Sequence, residues 1–134
     1  MTALAFLDSN VLLYAVGDDN ARRAVAESLI AQKPVVSAQV LAETAAVLRR
    51  KFLLDRTAIE RILIAVLARV HCEPLSSETV LSALRWGERL GYSHYDSQII
   101  AAALAAGCTV LYSEDMQHGQ LIDGTLMIVN PFVS

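Results

Sequence analysis

The chain has 134 residues, of which 54% are apolar, 19% charged and 6% aromatic; that is short for two domains and long enough for one buried core, so a single domain over residues 1–134 is expected. The apolar excess does not make a membrane span. The longest charge-free stretch, Ser97 to Ser113, is polar at both ends and broken by Gly107, Cys108 and Thr109, short of the roughly 20 apolar residues that a spanning helix needs.

Met1 to Leu7 has no basic residues ahead of its apolar run, and Asp8 ends that run. No secretory signal is expected, and the reading is a cytoplasmic protein. Ala3 to Leu7 reads as a buried strand, followed by a short helix through Val11, Leu12, Leu13 and Tyr14. Ala21 to Gln32 is a second helix, closed by Lys33-Pro34. Val35 and Val36 give a brief strand, and Ser37 caps a helix from Ala38 to about Lys51. Thr57 with Glu60 has the spacing of a capping box, which predicts a helix from there to near Val70. His71 to Pro74 is a strand, and Ser76 or Ser77 caps a helix that runs to Leu90 and stops at Gly91. Ser93 to Asp96 opens an alanine-rich helix that ends at Gly107. Thr109 to Tyr112 and Leu126 to Val129 are the last two strands. Strands alternating with helices predict a three-layer α/β/α sandwich around a central, mostly parallel sheet.

The net charge of −3 conceals a division along the chain. Residues 1–21 carry −3 and residues 90–134 carry −4, neither with a single Lys or Arg, while residues 22–89 hold all 11 basic residues and carry +4. Half the acids therefore lie in segments without a fixed cation. In open parallel sheets, ligands bind beyond the carboxyl ends of the strands. Asp8 ends the first strand, Asp115 follows the strand Thr109 to Tyr112, Asp96 lies in the first turn of the alanine-rich helix, and Glu43 lies in the first half of the helix after Ser37. Each taken alone has a plainer role: Asp8 and Asp96 as caps, Asp115 as a loop acid beside Glu114. Glu43 is harder to dismiss, because Gln39, Val40, Ala46 and Val47 around it offer no ion-pair partner. As a set, converging carboxylates raise one another's pKa values, a cost that protonation or a hard cation removes. Oxygen-only ligands select Mg²⁺ or Mn²⁺ over zinc, and such ions support phosphodiester hydrolysis.

Four segments, Phe6 to Tyr14, Ser37 to Glu43, Tyr95 to Ala101 and Leu111 to Met116, resemble in order and spacing the PIN-domain ribonucleases, and more specifically the VapC type of toxin from prokaryotic toxin–antitoxin modules. The resemblance covers nearly the whole chain. It implies a PIN fold and a metal-dependent endoribonuclease, with Asp8, Glu43, Asp96 and Asp115 holding Mg²⁺ or Mn²⁺. It also implies a metal-activated water that cleaves RNA to a 5′-phosphate and a 3′-hydroxyl. Asn10 and Ser113 match polar positions beside the acids, where a contact to a ligand residue or to substrate is expected. Glu114 is an extra acid beside Asp115, which leaves open which of the two is the fourth. The resemblance further implies a homodimer and a cognate antitoxin that masks the site.

Two other readings compete. A non-catalytic PIN-like binding module would be marked by loss of an acid, and all four are present. A haloacid-dehalogenase-like phosphatase needs a second Asp where Asn10 stands. Among the basic residues, Arg22 and Arg23 open a helix, where they oppose its dipole and so favour an external partner, while Arg49-Arg50-Lys51 close one, where they either complement its dipole or contact phosphates. Arg85, Trp86 and Arg89 read as a solvated face, His118 as an exposed loop residue, and His71 and His94 as structural. Apolar residues Leu53, Leu54 and Ile62 to Leu67 fit an interface. Cys72 and Cys108 are far apart, and reduced, buried thiols within strands are expected.

Overall fold

A computed structural model describes residues 4–133. Six strands alternate with six helices: β1 (Ala5–Leu7), α1 (Ser9–Ala15), α2 (Asn20–Ile30), β2 (Val35–Ser37), α3 (Ala38–Arg50), α4 (Arg56–Leu67), β3 (His71–Glu73), α5 (Ser77–Leu90), α6 (His94–Ala105), β4 (Val110–Tyr112), β5 (Leu121–Ile122) and β6 (Leu126–Val129). The sheet order is β3-β2-β1-β4-β6-β5, parallel throughout except for the antiparallel β5–β6 edge. The expected α/β architecture, a mostly parallel sheet flanked by helices, is the one observed.

The core follows from strands that are apolar on both faces. Phe6, Leu7, Val36, Leu111, Leu126 and Ile128 are wholly buried, and Ala102 and Ala103 of α6 pack into the same interior. Small side chains let α6 lie close to the sheet. β1 occupies the middle, paired to β2 on one side and to β4 on the other, with Leu7 opposite Tyr112. From β1 the chain builds outward through β2 and β3, then crosses back to build β4 and β6. The order therefore reverses between β1 and β4, which opens a crevice beyond their carboxyl ends.

Several boundaries differ from the sequence reading. Helix α4 starts at Arg56, not Thr57: Asp55 is the N-cap, its carboxylate accepting from the Ala58 amide at 2.8 Å. The Thr57/Glu60 box is not the start signal, because a better cap two residues earlier already satisfies the first turn. The helix ends at Leu67 rather than near Val70. Helix α2 begins at Asn20, capped by Asp19, and ends at Ile30. The first strand begins at Ala5; Ala3 lies outside the described residues. Strand β5 is an addition. It is joined to β6 by a turn in which Asp123 and Gly124 both adopt positive φ (54° and 67°) and the Thr125 amide bonds the Ile122 carbonyl at 3.1 Å. Asp-Gly between two short apolar pairs is a hairpin signal in its own right. Cys108 lies in the connection before β4 rather than in a strand, and Cys72 in β3 is only half-buried. Both thiols are free, and burial pushes both pKa values up, that of Cys108 to about 11, which keeps them protonated and unreactive. Among the described residues, no helix is long and apolar enough to cross a membrane.

Replacing Asp55 by Ala is expected to lower unfolding stability by about 1 kcal/mol, while Thr57→Ala changes it by less than about 0.5 kcal/mol. Urea unfolding followed by circular dichroism distinguishes the two, and equal losses would return the cap to Thr57.

Candidate functional site

The residues after β1, β2 and β4 and the first turn of α6 meet at one end of the sheet. Strands β1 and β4 are parallel and adjacent, so Asp8 and Ser113, each one residue past its strand, stand side by side. Helix α3 starts directly from β2 and α6 runs back toward the start of β4, so both helices present their first turns to the same end. Asp8, Glu43, Asp96 and Asp115 thus arrive from four separate segments.

Asp8 is the anchor. It is 3% exposed, and its two oxygens have separate donors: the Ser9 amide reaches Oδ1 at 2.7 Å and the Ser113 hydroxyl reaches Oδ2 at 2.8 Å. It caps α1, as its plainer reading holds, yet the cap uses only one oxygen. Burial pushes its carboxyl from 3.8 up to about 6; the two hydrogen bonds oppose that rise, and the negative charges of Glu43 and Asp96 reinforce it. Glu43 and Asp96 are half-buried and also raised, each by burial first, then Glu43 by the charge of Asp96 and Asp96 by the charge of Asp115. The four acids therefore sense one another in a chain.

Asn10 ties the two ends of the crevice together. Its Nδ2 donates to Asp115 Oδ2 at 3.2 Å, and its Oδ1 accepts from the Glu114 amide at 3.2 Å. The Ser113 hydroxyl also accepts from the Asp115 amide at 3.3 Å. The two neighbouring acids are turned to different surroundings. Glu114 accepts from the Tyr14 hydroxyl at 2.8 and 3.1 Å and lies 3.7 Å from the Arg22 guanidinium, whereas Asp115 is bonded to Asn10 and acts on Asp96.

Sequence reasoning missed Gln39 and Gln98, both buried. Gln39 Nε2 donates to Glu43 Oε2 at 3.3 Å and to the Tyr95 carbonyl at 2.9 Å, while its Oε1 accepts from Gln98 Nε2 at 3.0 Å. The only signal was spacing: Gln39 lies four residues before Glu43, on the same helical face. Arg22, read as favouring an external partner, is exposed and also has partners within the chain. It pairs with Asp19 at 2.9 Å and lies over the rings of Tyr14 and Phe132 at 5.4 and 6.0 Å. Arg89 stacks on Trp86 at 4.7 Å, and Arg49 donates to the Leu54 carbonyl at 3.0 Å. His118 is exposed on its loop, where Nδ1 accepts from the Asn130 amide at 2.9 Å, and His94 bonds Gln98 at 2.7 Å.

The donor set of the crevice is oxygen only, which suits a hard divalent cation. Among the described residues, no three His, Cys, Asp or Glu side chains stand close enough to share one ion. Pairs suffice for Mg²⁺, which keeps several waters and is bound through one or two carboxylates.

The model of the PIN domain family matches residues 5–121. No relative among curated proteins is detected by sequence. Solved structures with the same fold include a toxin–antitoxin complex from Klebsiella pneumoniae (16% identity, 96% of this chain and 98% of that one, TM-score 0.72). The VapBC2 complex from Rickettsia felis, bound to a DNA fragment from its promoter, aligns at 19% identity over 93% and 98% of the two chains, with a TM-score of 0.67. VapC20 from Mycobacterium tuberculosis, described as a sarcin–ricin loop cleaving toxin, aligns at 24% identity over 83% of this chain and 89% of that one, with a TM-score of 0.63.

Because Asp8 has a higher pKa folded than unfolded, its ionisation opposes folding. Its contribution is most favourable below pH 4 and is lost as pH rises toward about 6. About two units correspond to roughly 3 kcal/mol. Without divalent cations, Asp8→Asn is therefore expected to be more stable than the native chain at pH 7.5, with the gap closing by pH 4. Urea titrations in chelator across that range test this; a gap independent of pH would mean that Asp8 is not held at a raised pKa.

Proposed function

The chain belongs to the PIN-domain family, and from that premise we propose that it is a Mg²⁺- or Mn²⁺-dependent endoribonuclease of the VapC toxin type, acting on cytoplasmic RNA. A cognate antitoxin protein holds it in check. The observation that carries this reading is the crevice itself. Four carboxylates from four segments converge at the reversal of strand order, and the pKa values of Asp8, Glu43 and Asp96 are raised by burial and by neighbouring acids. No Lys or Arg lies in the segments that supply Asp8, Asp96 and Asp115.

Pairs drawn from Asp8, Glu43, Asp96 and Asp115 would hold the ion. When bound, the ion supplies Lewis-acid activation of a water and neutralises charge on the phosphodiester. The chain's own residues set the stage. Ser9 and Ser113 lock both oxygens of Asp8, so that the carboxylate needs no reorganisation to face a ligand. Asn10 orients Asp115 through Nδ2 and holds the Glu114 backbone through Oδ1, so it fixes the loop after β4 relative to α1. The fourth acid is Asp115 rather than Glu114, whose carboxylate is occupied by Tyr14 and Arg22. The products are a 5′-phosphate and a 3′-hydroxyl.

The same reading gives the chain an antitoxin and a second copy of itself as partners. Leu53, Ile64 and Leu67 are exposed, and α3 and α4 form a mainly apolar groove of about 500 Å³ lined by Ala45, Ala46, Ile59, Leu63, Ile64 and Leu67 together with Arg49, Arg56 and Glu60. An apolar surface of this kind fits a protein partner better than a polyanion.

Purified protein is expected to cleave total RNA in Mg²⁺ or Mn²⁺ and to stop in EDTA. Asp8→Asn and Asp96→Asn each lose at least about 100-fold in rate, the scale of removing a preorganised electrostatic contact. Cleavage that survives EDTA would reject the metal, and equal rates in all three proteins would favour a non-catalytic PIN module. Between the neighbouring acids, Asp115→Asn abolishes cleavage while Glu114→Gln stays within a few-fold of native; the reverse order would make Glu114 the fourth acid.

A further inference from the structure

Gln39 and Gln98 form an amide pair in the interior, 7% and 4% exposed, where two glutamines are costly. Burying an amide is unfavourable unless its hydrogen bonds are replaced, and apolar side chains of similar volume would fill the space at no such cost. The pair is held on every side. Gln98 Nε2 donates to Gln39 Oε1 at 3.0 Å, Gln98 Oε1 meets His94 Nε2 at 2.7 Å, and Gln39 Nε2 is shared between the Tyr95 carbonyl at 2.9 Å and Glu43 Oε2 at 3.3 Å. Among the described residues, no buried side-chain nitrogen or oxygen lacks a partner.

The arrangement joins two elements that electrostatics pushes apart. Gln39 lies in the first turn of α3 and Gln98 in the second turn of α6, the helices that carry Glu43 and Asp96. Those carboxylates repel each other, with no Lys or Arg bonded to either among the described residues. One amide nitrogen grips the Glu43 carboxylate and also the backbone one residue before Asp96. The side chain of Glu43 and the α6 N-terminus are therefore linked through a single group, which Gln98 holds in orientation.

We propose that Gln39, braced by Gln98, is a positioning residue that holds Glu43 and Asp96 at the separation needed to bind a divalent cation. This rests on the metal-dependent reading above. Groups that orient ligating side chains matter to affinity nearly as much as the ligands do, with losses of roughly 10- to 100-fold when they are removed. Gln98 acts through Gln39 and touches neither acid.

The test is Mn²⁺ titration calorimetry on the full chain, native and with Gln39→Met, Gln98→Met and both changes together. Methionine keeps the buried length and volume while removing the amide. Gln39→Met is expected to bind Mn²⁺ at least about 10-fold more weakly, with the thermal midpoint in chelator within a few degrees of native. Gln98→Met gives a smaller loss, and the double variant is no weaker than Gln39→Met, because the two act in series. Asp55→Ala, which weakens the fold away from the crevice, leaves Mn²⁺ affinity unchanged. Native affinity in Gln39→Met would overturn the positioning role while leaving the metal reading intact. A native protein that binds no Mn²⁺ would overturn the metal reading itself and this inference with it. If Gln39→Met does not fold, Gln98→Met decides by the same measurement: a several-fold loss supports the brace and unchanged affinity overturns it.

Discussion

The crevice depends on one buried carboxylate. Asp8 stands where the central strand ends, and both of its oxygens are used to join other elements. The Ser9 amide draws α1 onto the end of β1, and the Ser113 hydroxyl draws the loop after β4 onto the same point. A carboxylate nearly excluded from water favours its neutral form, and the two donors recover only part of the loss of hydration. Nearby acids raise the cost further. An apolar residue there would suit the core better and would leave the Ser113 hydroxyl, itself wholly buried, without its acceptor.

Around that point the polar interior is organised as two arms. One runs from Asp8 through Ser113 to Asp115, and Asn10 closes it from α1. The other runs from Glu43 through Gln39 to Gln98 and His94, and binds α3 to α6. The first arm fixes Asp8 and Asp115, and the second fixes Glu43, by neutral donors rather than by cations. Neutral donors hold direction without cancelling charge, so the negative potential of the crevice is preserved for a ligand that carries positive charge.

The basic residues show the complementary arrangement. Arg22, Arg49, Arg69 and Arg89 each have a partner within the fold, in carboxylates, a carbonyl or an aromatic face. The Arg22 cluster lies closest to the crevice and engages Glu114 rather than Asp115. Two consecutive acids in one loop can therefore serve different ends: one joins α2 and the C-terminal segment around Phe132, and the other faces Asp96. The split is seen in their partners: Glu114 bonds Tyr14 and lies near Arg22, while Asp115 bonds Asn10.

Much of this was legible along the chain. Apolar runs ended by Asp8 and by Ser113, Ser37 as a cap, the Ser93 to Asp96 opening of α6 and the uneven distribution of Lys and Arg are all local features. They determine the alternation of strands and helices, and with it the end of the sheet where acids gather. The cap at Asp55 and the Asp123-Gly124 hairpin were written there too, but nearer or shorter signals outweighed them. Only the tertiary structure decided that Glu114 and Asp115 part company, that Arg22 lies against Tyr14, Phe132 and Glu114, and that Gln39 and Gln98 meet. The decisive contacts join distant residues: Asn10 and Asp115 lie 105 positions apart, and Gln39 and Gln98 lie 59 apart. Local spacing reports which face of an element a side chain occupies, whereas its partner across the core is set by how the elements pack.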